Sequence, residues 1–200
     1  MPVVYTFEAK SIQSYILDSS KLKDMIGASE QIEQLCGYSE DDLVQSVLKA
    51  LELDKKVKFS RRAGGAFTAI FQDKTDAKRF QSVWTFCVQQ ALPNLAFAQG
   101  MGESESIVKE AIQLAKENAG YYRTETTLPL AGPLVTRSPR TGGAAVDTKN
   151  NERLDAGTKQ KREFKGSKLI DKLKLDEALK RPNRDEKLGS AKEAVICYNH

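Results

Sequence analysis

Apolar and polar positions along the chain change period several times, and each change marks an element. Val3-Val4-Tyr5-Thr6-Phe7 is a β-branched and aromatic run suited to a buried strand. Ile12, Tyr15 and Ile16 then take helical spacing. So do Leu22, Met25, Ile26, Ser29, Ile32 and Leu35, up to a stop at Gly37. Ser39-Glu40-Asp41-Asp42 predicts a serine-capped helix start, continued by Leu43, Val44, Val47, Leu48 and Leu51. Val57 and Phe59 alternate with polar neighbours. Arg61-Arg62-Ala63-Gly64-Gly65 predicts a turn, and Ala66–Phe71 returns as a strand, so the pair reads as a hairpin closed by glycines. Residues 74–92 carry Phe80, Val83, Trp84, Cys87, Val88 and Leu92 on one face of a long helix. A fourth strand over 95–101 and a helix from Ser104 to Asn118 follow.

The order β–α(α)–ββ–α–β–α predicts an α+β fold of the ferredoxin-like, split βαβ kind, with extra helices and an antiparallel sheet covered on one face. This first unit takes in residues 1–120. Over 121–192 the texture turns loop-rich and basic. Prolines and glycines interrupt 121–146, 147–166 is polar enough to read as mobile, and a short amphipathic helix is expected over 167–180. Residues 193–200, with Ala194-Val195-Ile196-Cys197-Tyr198, read as a terminal strand. It either opens a second domain or closes the first sheet.

Composition narrows the chemistry. Of 200 residues, 40% are hydrophobic and 29% charged, enough to bury a core without staples. The only histidine is His200, which excludes histidine triads and two-histidine zinc motifs. Cys36, Cys87 and Cys197 form no CxxC pair and read as buried small hydrophobes in a reducing cytoplasm. No signal peptide and no apolar run near the ~20 residues of a membrane span is visible, so no membrane partner is expected. The net charge of +4 is unevenly spread. Residues 1–136 sum to −2 and 137–192 to +7. The basic stretch, with Arg137, Arg140, Lys159, Lys161 and Arg162, is either a solvated surface or a salt-sensitive contact for an RNA backbone.

Three motifs, in order, carry a resemblance: Phe7-Glu8-Ala9-Lys10-Ser11-Ile12-Gln13-Ser14-Tyr15-Ile16, Leu22-Lys23-Asp24-Met25-Ile26-Gly27-Ala28-Ser29, and Arg62-Ala63-Gly64-Gly65-Ala66-Phe67. Over about residues 3–120 the chain resembles the first palm domain of the type III CRISPR effector large subunit, a relative of GGDEF cyclases. Members of that family carry two facing palms that make cyclic oligoadenylates from ATP. The first palm is degenerate, and the second holds an intact GGDD motif. Palm catalysis needs an acidic residue at the end of the first strand and carboxylates after the hairpin glycines, which together hold two divalent metals.

Here Glu8 takes the strand position as a candidate metal ligand, but Ala66 and Phe67 stand where the hairpin carboxylates belong. The resemblance therefore implies a domain that is not an enzyme by itself. It implies ATP, with or without magnesium, at an interface with a second palm, lined by Ser29, Gly64 and Gly65, with Arg62 near phosphate. The zinc module that many members carry is not expected, because residues 134–146 hold no cysteine. Implied partners are the second palm or other subunits of a ribonucleoprotein complex, and RNA. The alternatives are a stand-alone nucleotide-sensing module or an RNA-binding module working through residues 137–192.

Overall fold

A computed structural model describes residues 2–37, 39, 42–105, 107–123 and 135–164. The helix expected over 167–180 and the strand expected over 193–200 lie outside the described residues.

The fold is α+β. Strand β1 (Val3–Lys10) leads into helices α1 (Ile12–Leu17), α2 (Leu22–Cys36) and α3 (Leu43–Ala50). The hairpin β2 (Lys58–Ala63) and β3 (Ala66–Phe71), helix α4 (Lys74–Ala91), β4 (Ala96–Glu103), α5 (Val108–Glu117) and β5 (Gly120–Arg123) follow. These strands form one antiparallel sheet in the order β2-β3-β1-β4-β5. A separate hairpin, β6 (Ala145–Lys149) and β7 (Glu152–Asp155), ends in helix α6 (Ala156–Glu163).

Side chains alternate across β1, and the two sets meet different helices. Val3, Tyr5, Phe7 and Ala9 join the main core with α2, α3 and α4. Phe7, Phe67, Phe80 and Trp84 meet there ring against ring at 5.1–6.1 Å. Val4 faces the other way, toward Ala111 and Ala115 of α5. Helices therefore cover both faces of the sheet, not the single face expected. The reason is local to β4. A Cβ on Gly100 or Gly102 would overlap the Ala115 or Ala111 carbonyl oxygen, so these glycines let α5 lie directly on the strand.

Several boundaries differ from the sequence reading for identifiable reasons. The hairpin turn is only Gly64-Gly65, both left-handed at φ 61° and 81°, and Arg61 and Arg62 belong to β2. Asp42, not Ser39, caps α3, accepting from the Gln45 amide at 3.0 Å. Helix α5 begins at Val108, and Ser104 instead receives the Ile107 amide at 3.3 Å and donates to Glu110 at 3.0 Å. The polar stretch 147–166, expected to be mobile, is a packed hairpin and helix through residue 164. Its few apolar side chains, Leu154 and Phe164, are buried, and α6 lies against α2.

Candidate functional site

The first and third of the palm-like motifs meet where the end of β1 lies beside the glycine turn. The Ala9 amide donates to the Gly65 carbonyl at 2.9 Å, which ties the turn to β1. Glu8 is exposed and stands across from Ala66 on β3 and Ala98 on β4. Among the described residues its one ion pair is with Lys10, at 2.7 Å. Phe67 takes the opposite face, stacked on Phe7 at 5.5 Å, so position 67 belongs to the core.

One exposed carboxylate facing two alanines does not make a two-metal donor set. Among the described residues no group of three His, Cys, Asp or Glu side chains is arranged to hold a metal.

Gly64 and Gly65 have different roles. Gly64 is exposed, with nothing within 4 Å of a Cβ placed on it, so its surface is open to a ligand. Gly65 is buried, and a Cβ there would press on Ala9 at 3.2 Å, Ile12 at 3.3 Å and Ile32 at 3.5 Å. Ser29 is exposed on α2, one turn before Ile32, and so reaches the same end of the sheet. Gly65 and Ser29 lie on the face of the sheet that Ala9 and α2 occupy, whereas Glu8 and Ala66 alternate onto the opposite face.

Arg62 is not part of this group. It ion-pairs with Asp42, donates to the Gln45 side chain and the Ser39 carbonyl at 3.3 Å each, and lies 5.0 Å from the Phe59 ring centroid. Burial pushes the Asp42 carboxyl up, opposed by the hydrogen bonds from Arg62 and the Gln45 amide. The guanidinium expected to meet phosphate instead closes the N-terminus of α3. Burial likewise pushes the nearby Cys36 thiol up to about 12, which keeps it an unreactive core group.

The residues expected to face RNA are placed as follows. Arg137 is exposed, in an isolated bridge with Ala144. Arg140 pairs with Glu152, and Lys159 with Asp147 at 2.9 Å. Lys161 is buried, donating to the Tyr15 carbonyl at 2.6 Å with its ammonium 4.1 Å from the Tyr15 ring centroid. Burial lowers its pKa against the pull of Asp18. Arg162 grips the fully buried Asp24 through two bonds of 2.8 and 2.7 Å and reaches Glu152 at 2.8 Å. Lys161 and Arg162 thus correct the expectation of a solvated basic surface, because Asp24 of α2 and Glu152 of β7 draw Arg162 inward, and the Tyr15 carbonyl and Asp18 hold Lys161.

No protein-family model matches the chain, and no curated protein matches it either.

The sequence reading missed Asp24, Glu152, Lys21 and the Asn150-Asn151 turn. The turn had a signal. Two asparagines between Lys149 and Glu152 suit a two-residue hairpin, and both adopt left-handed φ, 51° and 61°. Asp24 had none, because Arg162 lies 138 residues away in the chain, and the Lys21 that Glu152 gathers lies 131 residues away.

Proposed function

We propose that the chain is a non-catalytic palm domain of the type III CRISPR large-subunit kind. It serves antiviral defence as a scaffold and as one half of an ATP pocket, completed by a second palm that makes cyclic oligoadenylates. The carrying observation is the register at the glycine turn: Ala66, directly after Gly64-Gly65, stands across from Glu8. This is where the two acidic positions of a working palm would meet, and one of them has no oxygen to offer a metal.

Two further observations support the reading. The order β2-β3-β1-β4, with β5 added at its edge, suits a ferredoxin-like split βαβ sheet. Gly64 and Ser29 leave an open surface beside the turn rather than a finished pocket. Such a surface suits a site that a partner completes. Arg62 is left out of the nucleotide contacts because Asp42 holds it.

The test uses the purified chain with ATP and Mg2+ or Mn2+, alone and with a GGDD-bearing palm protein. Alone, it should convert no ATP. With both ATP and the second palm present, amide exchange at Gly64, Gly65 and around Ser29 should slow. Metal-dependent conversion by the chain alone, or unchanged exchange in the complete mixture, would sink the proposal.

A further inference from the structure

A second polar site lies away from the glycine turn, where the β6–β7 hairpin meets the start of α2. A cleft of about 490 Å3 is lined there by Lys21, Pro139, Arg140, Asn150, Asn151 and Glu152. Glu152 is its organising residue. One carboxylate oxygen accepts from Arg140, and the other from Lys21 and Arg162. These hydrogen bonds, Lys21 first, hold the Glu152 carboxyl down at about 2, so it stays charged and keeps the three cations gathered. Asp24 neutralises Arg162 from behind. Three cations against two carboxylates leave one positive charge in excess.

The excess faces the cleft with donors to spare. Lys21 uses one of its three ammonium donors, on Glu152. Arg140 uses Nε on Glu152 and Nη1 on the Ser19 carbonyl at 3.5 Å, leaving the rest of its guanidinium without a partner among the described residues. The opposite rim is the exposed Asn150-Asn151 turn, which carries two side-chain amides. The cleft is shallow and open to solvent, so its charged groups are accessible from outside.

We infer that this cleft is an anion site that takes a phosphate group, held by Lys21 and Arg140 against the Asn150-Asn151 turn. It is distinct from the glycine turn. Ile32, which touches Gly65, lies 11 residues along α2 from Lys21, or roughly 16 Å of helix. The inference therefore stands whether or not the palm reading does.

The experiment is an amide-shift titration of the full chain with sodium phosphate, with AMP and with a five-nucleotide oligouridylate. Shifts should saturate at Lys21, Arg140, Asn150 and Asn151. Lys21→Gln and Arg140→Gln should each weaken binding by about tenfold or more, as expected for loss of a charge-assisted hydrogen bond. Lys78→Gln, an exposed change on α4, should not. Phosphate or AMP binding as tightly as the oligouridylate assigns the group to a small ligand. Tighter oligouridylate binding that weakens steeply with salt assigns it to a nucleic-acid backbone. Either outcome supports the site. No saturable shift with any probe, or binding that both variants leave intact, overturns it. Lys21 is solvent-facing, so its variant keeps the test open if Arg140→Gln fails to fold.

Discussion

Gly27→Ala tests how the 145–164 segment is held. In an exposed helix the change would stabilise, because alanine gains up to about 1 kcal/mol over glycine in a helix interior. Here the new Cβ would overlap the Lys161 carbonyl oxygen and stand 3.0 Å from its carbon and 3.5 Å from the Phe164 carbonyl oxygen. All three are backbone atoms, so no rotamer change relieves the overlap. Helix α6 must draw back by about an ångström, the amount needed to restore a normal van der Waals distance. That retreat pulls apart the two bonds between Arg162 and the fully buried Asp24, now 2.8 and 2.7 Å.

Breaking a buried pair costs about 3–5 kcal/mol when it leaves an uncompensated charge. Partial retreat and the helical gain of alanine reduce this to a net loss of about 2–4 kcal/mol. Urea unfolding followed by circular dichroism measures it, and the melting temperature should fall by roughly 4–16 °C. Brief proteolysis should also cut faster at the Asn150-Asn151 turn. A variant as stable as the parent, or more stable, would refute the close approach of α6 to α2.

The other outcomes follow from the same contacts. Arg62→Gln strands the Asp42 carboxylate at the head of α3, and should lower stability by about 2–4 kcal/mol in urea unfolding. A change confined to nucleotide binding would contradict the capping role of Arg62. Gly64→Asn should fold within about 0.5 kcal/mol of the parent, since asparagine tolerates left-handed φ and the position is open. Gly65→Ala, at φ 81° and against Ala9 and Ile12, should lose about 1–2 kcal/mol. Equal losses at the two glycines would reject that distinction.

Stability should also depend on Glu152 in acid. Its folded pKa, about 2, lies below the ordinary glutamate value of 4.5. The ion cluster therefore contributes fully above about pH 4.5, and its contribution fades as pH falls toward 2. Glu152→Gln should flatten that part of the acid unfolding profile. An unchanged profile would show that the three cations do not depend on the carboxylate.

Much of the first unit was legible because its elements follow local rules. The run Val3–Phe7, the stripe of α2 and the Gly64-Gly65 turn each show their period within a few residues. The candidate site was legible only where it rests on the turn and on Glu8, both fixed by strand position. Arg62 read as a phosphate contact because nothing within the hairpin reveals that Asp42, 20 residues earlier, holds its charge. The basic stretch read as solvated for the same reason. Charge counts along a chain do not say which cations find acids in space.

By itself, then, the sequence determined the order of strands and helices from β1 to α5, the two-glycine turn, an aromatic core and a hairpin without carboxylates at positions 66 and 67. Hydrophobic period and backbone preference act over a few residues, and each of these features depends on nothing more distant. Only the tertiary structure decided that α5 covers the second face of the sheet, that Asp42 and not Ser39 caps α3, and that residues 145–164 dock on α2. The same holds for Lys161 and Arg162, whose charges are buried rather than displayed. Those outcomes turn on close approach at Gly27, Gly100 and Gly102 and on ion pairs between residues more than a hundred positions apart. Such contacts exist only once the chain has folded.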